Sequence, residues 1–355
     1  PDVHPRGAQR TARVALARML EGSPLGRELA AGWLRFLEPS ELLDEVRRDF
    51  DVLRARSTDI DPAHASLGAV FESSWSLLGE AEREGMRRLA VFRGGCTRDS
   101  AVAVADVPLA TLLALTNRSL LQRDGNTRFT MHTVVQHFAD GKLAERPATA
   151  AELEDRHSEY FLALAQDTDR RIDTPDQGSA IARLAEDGAN VTAALGRALD
   201  GRRTDTAYEL VAALARYWRW RGRAHEALGW IDRLRSMVPT SVPTVAGVRV
   251  RLGEGRLLEN TGRYAEADAA FDDALADAEL LEDQDLVTMA HLEKAIIAWR
   301  RGDLGAARSD LLRVCDRYRG LGREASLAGA LGNLGNVTRD AGDLDSAHAC
   351  YDEAL

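Results

Sequence analysis

Small and large apolar positions recur in step along the C-terminal part of the chain. Glycines stand at Gly222, Gly262, Gly302 and Gly342, forty residues apart. Seven residues before each stands a small residue: Ala215, Gly255, Ala295 and Gly335. Five residues after each comes Ala227, Ala267, Ala307 or Ala347, and nine after comes a large apolar residue: Ile231, Phe271, Leu311 or Tyr351. Small residues let two antiparallel helices approach, and large ones fill the groove between repeats. Four registers in phase predict a stack of helix–turn–helix units over 205–355.

The upstream pattern predicts shorter helices. Residues 6–21 carry helical apolar spacing, Gly22-Ser23-Pro24-Leu25 interrupts it, and a second helix runs from Leu25 to about Leu37. Ser40 is placed to cap a further short helix. Glu80 to Val91 is amphipathic; Phe92-Arg93-Gly94-Gly95-Cys96-Thr97 is a glycine turn entering a helix at Arg98; Pro108 to Leu115 is a third helix. Ser119 to Gln122 and Arg128 to Met131 then make a hairpin around Asp124-Gly125-Asn126. Three helices and a hairpin make a winged helix. From His132 the spacing turns helical, with Val134, Val135 and Phe138 on one face. A buried His132 at that strand-to-helix junction would lie beside unpaired backbone N–H groups, which favour an anion. Residues 147–200 read as helical with weak period.

The expected fold is therefore all-α, with one small β-hairpin in a winged helix. Four segments follow: a helical domain at 1–65, the winged helix at 66–146, a helical bridge at 147–204 and repeats of forty residues at 205–355.

Composition narrows the function. The chain has 355 residues, 45% of them hydrophobic and 6% aromatic, and a formal net charge of −10. That charge disfavours nonspecific binding of nucleic acid or membrane surfaces. The helix before the hairpin, Pro108 to Leu115, offers no Arg, Lys, Asn or Gln to reach base edges, so no direct nucleic-acid binding is expected. Cys96, Cys315 and Cys350 are scattered and form no CxxC pair, which fits a reduced, cytoplasmic setting. No apolar run reaches membrane-spanning length. Neither end of the sequence has the character of a natural terminus, so the chain reads as an internal stretch of a longer protein. No phosphate-cradling GxxxxGK[ST], HExxH, GxSxG or metal-spaced Cys/His set occurs, so no catalysis and no metal are expected here.

The repeat pattern is similar to the tetratricopeptide class, with longer helices than its thirty-four-residue form; Leu334-Gly335-Asn336 through Gly342-Asp343-Leu344 to Ala347 is its best match. Upstream, Gly22, Pro24, Leu25, Glu28, Leu29, Ala30 and Ala31, then Ser66-Leu67, Ser73-Ser74-Trp75, Phe92-Arg93-Gly94-Gly95 and Met131-His132, occur in this order. Together they resemble the nucleotide-proximal helical domain and winged helix of signal-transduction ATPases with numerous domains, the STAND family (AfsR/LuxR-type, NB-ARC-like). Glu186, Asn190, Val191, Ala194 and Leu195 resemble the linker motif that follows. The resemblance implies that Pro24 packs on adenine and that His132 touches the β-phosphate of ADP. It implies ADP or ATP held in the full-length protein by a P-loop domain outside this sequence, which as a whole is a slow ATPase at most.

The function expected is the sensor portion of a nucleotide-switched regulator, controlling transcription or another effector. Its repeat array receives a protein, peptide or small-molecule inducer on the concave face, where the first helix of each repeat presents Arg216, Arg219, Arg256, Glu259, Trp299, Asn336 and Arg339. Trp299 is the leading hot-spot candidate. Arg216, Arg219, Arg256 and Arg339 form a basic stripe that needs carboxylates, either a ligand's or those of neighbouring helices. The alternative is a repeat scaffold for protein interaction without nucleotide dependence.

Overall fold

The structure, a computed structural model, describes residues 14–15, 38–40, 72, 74–125, 128–237 and 243–355. Most of the expected N-terminal helical domain, including Pro24, lies outside the described residues. Pro39 and Ser40 are both helical. The N-cap expected at Ser40 is therefore absent, and the proline, which tolerates a first helical turn, lies within the helix.

The chain divides into two compact units, residues 1–160 and 161–355. In the first, α1 (Glu80–Leu89) leads to a two-residue strand β1 (Cys96–Thr97), α2 (Arg98–Ala105), α3 (Leu109–Asn117), β2 (Gln122–Asp124), β3 (Arg128–Thr130) and α4 (Thr133–Ala144). The helix α5 (Pro147–Arg171) follows. Met86, Leu89, Phe92, Leu112, Leu115 and Phe129 are buried and form much of the core. Thr97 starts α2 with a reciprocal cap, its hydroxyl accepting from the Ser100 amide at 3.1 Å.

The sheet corrects the expected hairpin in two ways. Its order is β1-β3-β2, all antiparallel, with Cys96 opposite Phe129 and Arg123 opposite Phe129 on the other side. A two-residue strand such as β1 is too short to show alternation. The strand expected at Ser119–Gln122 begins only at Gln122. Ser119 takes a left-handed φ of 60°, and the amides of Leu120 and Leu121 donate back to the Leu115 carbonyl at 3.0 and 3.3 Å. Those residues finish α3 and cannot pair in a ladder. Gly95, at φ 84°, sits so close to β3 that a Cβ there would stand 2.4 Å from the Phe129 carbonyl oxygen. The glycine turn is thus the hinge that lets β1 meet β3.

In the second unit, α6 (Gln177–Glu186) and α7 (Gly188–Asp200) precede four helix pairs. These are α8 (Thr204–Trp220) with α9 (Ala224–Met237), α10 (Val245–Asn260) with α11 (Tyr264–Leu280), α12 (Gln284–Arg300) with α13 (Leu304–Gly320), and α14 (Glu324–Asp340) with α15 (Leu344–Ala354). Each glycine of the forty-residue register ends a first helix in the left-handed region, with φ between 65° and 87°. After two of them Asp303 and Asp343 cap the next helix, accepting from Ala306 and Ser346 amides at 3.0 and 3.1 Å. Ala227, Ala267, Ala307 and Ala347 are all buried, as are Ile231, Phe271 and Leu311. The array is the expected solenoid of helix pairs.

Candidate functional site

In the first unit His132 is the N-cap residue of α4, at the junction with β3. It is half-buried rather than buried, and its side chain makes no cap hydrogen bond. Val134 and Val135 are buried, and Phe138 meets Trp75 edge-on with ring centroids 5.8 Å apart. Lys142 lies over both rings, at 5.7 and 5.3 Å. Gln136 donates to the Ala90 carbonyl at 2.8 Å. These contacts fix α4, and with it the position of His132. Beside them Asp140 is pushed above the usual carboxylate range by burial, against the pull of Arg93 at 3.2 Å. Among the described residues no group of His, Cys, Asp or Glu could hold a metal ion, and no disulfide joins the three cysteines.

The second unit carries a groove of about 880 Å³ along the first helices of the repeats, reached also by the end of α5. Its apolar lining combines the small Ala213 and Gly253 with Leu252, Leu292 and Ile296. Its walls are charged. Arg216 donates to the Asp169 carbonyl at 3.1 Å and pairs with Asp173. Arg256 reaches Glu293 through Nε and Nη2 at 2.8 and 2.7 Å, with side chains only 18% and 7% exposed. Burial works against the Arg256 charge, yet the Glu293 carboxylate outweighs it and holds the guanidinium charged above its ordinary value. Tyr318 is pushed up by burial and then by the Glu293 charge. Asp169 is pushed up by burial, opposed by Arg216, Arg256 and Arg249. One of its oxygens is buried without a hydrogen bond, Arg216 Nη1 standing 3.7 Å away.

Of the sequence-derived candidates, Arg216, Arg219 and Arg256 line the groove. Glu259, Trp299, Asn336 and Arg339 do not; they tie the fold together. Glu259 accepts from Arg300 at 3.1 Å, and Trp299 donates to Asp340 at 2.9 Å, each bridging forty-one residues. Arg339 pairs with its neighbour Asp340 at 3.1 Å. Asp340 is held below the usual carboxylate range by the Trp299 hydrogen bond and then by Arg339. Asn336 accepts from the Tyr351 hydroxyl at 2.9 Å. Glu259, Trp299 and Arg339 share the register of Arg219, in the last turns of their helices; at Glu259 and Trp299 the following repeat reaches back, through Arg300 and Asp340. Sequence reasoning missed Arg249, Glu293, Tyr318 and Asn333, which do line the groove. One signal was available for Glu293. It falls forty residues after Gly253 and forty before Asn333, in a register that runs Ala213, Gly253, Glu293, Asn333 and so turns from small to polar.

Comparison with known proteins bears on both units. The tetratricopeptide repeat family model matches residues 327–355. Two proteins provisionally named HTH-type transcriptional regulators, from Mycobacterium bovis and Mycobacterium tuberculosis, are each 29% identical over 229 residues, 62% of this chain and 26% of theirs. The chain thus spans about a quarter of the length of these relatives. Among solved structures, a signal-transduction ATPase with numerous domains and a tetratricopeptide repeat sensor, from Pyrococcus horikoshii, aligns over 90% of this chain and 57% of its own, at 14% identity and a TM-score of 0.40. BtubC from P. vanneervenii aligns over 57% of this chain and 89% of its own, at 17% identity and a TM-score of 0.43. Both structural likenesses are too loose to carry an argument. The chain is a tetratricopeptide-type helical repeat protein at its C-terminal end, similar in sequence to proteins named as regulators of transcription.

Proposed function

We propose that this chain is the sensor-bearing part of a STAND-type, nucleotide-switched regulator of the NB-ARC-like kind, acting in the cytoplasm on transcription or another effector. The observation that carries the reading is the groove of the repeat array. Its walls hold exposed arginines, Arg219 and Arg249, that make no hydrogen bond or ion pair of their own among the described residues, beside Arg216 and Arg256, which do, and it opens along the first helices where an inducer would bind. Similarity to proteins named as HTH-type transcriptional regulators supports a regulatory role. The unit at 74–144 is read as a winged helix that packs on a nucleotide domain and makes no direct contact with DNA.

His132 supports a nucleotide link. It is half-buried at the start of a twelve-residue helix, where the backbone N–H groups of the first turn favour an anion such as a phosphate. Bound ADP would supply that phosphate from a P-loop domain elsewhere in the protein; Pro24 would pack on its adenine. Any slow ATP hydrolysis belongs to that domain, not to the residues described. A ligand in the groove changes activity only by binding the on and off states with different affinity.

The test uses the intact parent protein. ADP is expected to co-purify with it, and His132→Ala to lower ADP occupancy and raise basal activity, Pro24→Ala acting the same way more weakly. A charge-assisted donor to phosphate contributes on the order of 1.5–3 kcal/mol. A parent protein that carries no nucleotide, with both variants unchanged, is instead a repeat scaffold.

A further inference from the structure

Most of the charges that line the groove are answered inside the array. Arg216 pairs with Asp173, Arg256 with Glu293 and Arg323 with Asp285, while Glu209 accepts from Gln166 at 2.9 Å. Asp169 is different. It is half-buried, neither oxygen of its carboxylate accepts a hydrogen bond among the described residues, and its one ion pair there is the loose 3.7 Å approach of Arg216. Arg249, on α10, lines the same groove, is exposed, and makes no hydrogen bond or ion pair of its own among the described residues. Its charge nonetheless reaches Asp169 and opposes the upward push of burial there. A carboxylate and a guanidinium thus face one cavity within electrostatic reach, and each still has its hydrogen bonds to accept or donate.

The wall that joins the two charges is apolar. A Cβ on Gly253 would stand 2.5 Å from that of Ala215, so α8 and α10 close on one another at that height. Successive first helices run in the same direction, which sets Arg249, four residues before Gly253, level with Val211 on α8. Arg216, the side chain against Asp169, lies little more than one turn further along α8. Ala212 and Ala213 line the groove between those two heights, and Leu252 and Gly253 line it one turn after Arg249. A simple anion in this place leaves Asp169 without a partner, and a simple cation leaves Arg249 without one. A diacid fails as any anion does and is repelled by Asp169. A molecule that carries both charges beside an apolar group answers all three surfaces.

We propose that the groove binds a free α-amino acid with an aliphatic side chain, its ammonium on Asp169, its carboxylate on Arg249 and its side chain against Ala212, Ala213, Leu252 and Gly253. This names the class of inducer and rests on the reading of the array as the receptor surface. The ammonium supplies the donors that the Asp169 carboxylate lacks. The guanidinium fork meets the ligand carboxylate bidentately, which fixes its orientation. The α-carbon carries both charged groups and turns the remaining substituent to the apolar wall, where a third charge would be desolvated without a partner.

The experiment is isothermal titration calorimetry on the 355-residue chain with L-leucine, L-valine, L-glutamate, N-acetyl-L-leucine, which lacks the ammonium, and L-leucinamide, which lacks the carboxylate. Saturable binding of L-leucine or L-valine is expected. Affinity is expected to fall about tenfold or more for each leucine derivative, and for the amino acid itself in Asp169→Asn and in Arg249→Gln. Arg313→Ala, an exposed arginine outside the groove, serves as control, and circular dichroism confirms folding of each variant. The derivatives test both charges on the unaltered chain, so the outcome does not hang on a variant that fails to fold. Failure of both aliphatic amino acids to bind overturns the proposal, as does affinity unchanged in both groove variants. N-acetyl-L-leucine binding as tightly as L-leucine would reveal a plain anion site, and L-leucinamide doing so a plain cation site; either overturns the two-charge ligand. L-glutamate binding more tightly than both aliphatic amino acids overturns the apolar seat for the side chain. ADP occupancy in the parent protein reads the nucleotide switch separately, so the two readings fail independently.

Discussion

Gly255 lies directly beneath the ring of Phe271, sixteen residues later on the partner helix of the same repeat. A Cβ on Gly255 would stand 2.3 Å from Cε1 and 2.5 Å from Cζ of that ring. Phe271 is fully buried, so the ring has no free space to move into. The last repeat has the same relationship between Gly335 and Tyr351, at 2.4 Å, but Tyr351 is only half-buried. Large residues therefore sit over the small residue of their own repeat, and the forty-residue register of glycines and aromatics is a register of helix–helix contact.

Gly255→Ala is expected to destabilise the array. Overpacking a rigid site costs about 1–3 kcal/mol, against a gain of ~1 kcal/mol from replacing a helical glycine. Gly335→Ala should cost less than Gly255→Ala, because the half-buried Tyr351 ring can swing outward at the loss of its hydrogen bond to Asn336. Gly229→Ala, helical with nothing within 4 Å of its Cβ position, should stabilise by ~0.5–1 kcal/mol. Urea unfolding followed by circular dichroism orders the three; equal effects would remove the contact explanation.

The turns between repeats were half legible. Glycines in the 222 register announced one set, and the structure shows the same left-handed geometry in the other set at Arg202, Glu282 and Gly322, two of which are not glycine. Glu282 has φ 55° and its amide donates to the Glu279 carbonyl at 3.0 Å, as Gly262 donates to Glu259 at 2.9 Å. A non-glycine residue there costs ~1–2 kcal/mol. Glu282→Gly is expected to raise stability by ~1 kcal/mol, and Gly302→Ala to lower it by a similar amount. Hydrogen exchange of the amides flanking each turn measures both.

Local chemistry explains what the sequence revealed and what it hid. Helix spacing, the glycine stops and the buried alanines are properties of short stretches, and they were readable from them. The short strand β1 was not, because Cys96–Thr97 is a strand only by virtue of Phe129 and Arg128 opposite. The groove was readable only in part, because which arginines stay unpaired depends on acids far along the chain, such as Asp173 for Arg216 and Glu293 for Arg256. Periodicity places a side chain on a face; it does not say what the neighbouring helix already offers it.

Asp169 should leave a signature in the pH dependence of stability. Burial raises its carboxyl above the ordinary value, despite Arg216, Arg256 and Arg249. A raised folded pKa means that the native state binds more protons than the unfolded one between the two values. Stability from this group therefore falls as pH rises through that window, and is recovered below the unfolded pKa. Asp169→Asn is expected to remove that component, so the stability difference between variant and wild type grows in the variant's favour from acid to neutral pH. A pH-independent difference in urea midpoint would show that Asp169 titrates alike in both states.

Arg256 and Glu293 separate a structural arginine from a receptive one. Both line the groove, and nothing in their helical spacing distinguishes Arg256 from Arg219 as a contact for an inducer. In the structure the Arg256 guanidinium is engaged twice by a carboxylate that is 7% exposed. Removing one partner of a buried pair leaves the other charge uncompensated and costs about 3 kcal/mol, whereas replacing both with apolar residues of similar volume is close to neutral. Arg256→Ala is therefore expected to lose about 3 kcal/mol of stability, and Arg256→Met with Glu293→Leu to recover most of it. Arg219→Ala, by contrast, should leave stability within ~0.5 kcal/mol, since an exposed, unpaired arginine contributes little to the fold. Denaturant unfolding of the three variants makes the comparison. An Arg256→Ala chain as stable as wild type would mean that the pair does not carry this wall of the groove, and would return Arg256 to the set of side chains open to a ligand.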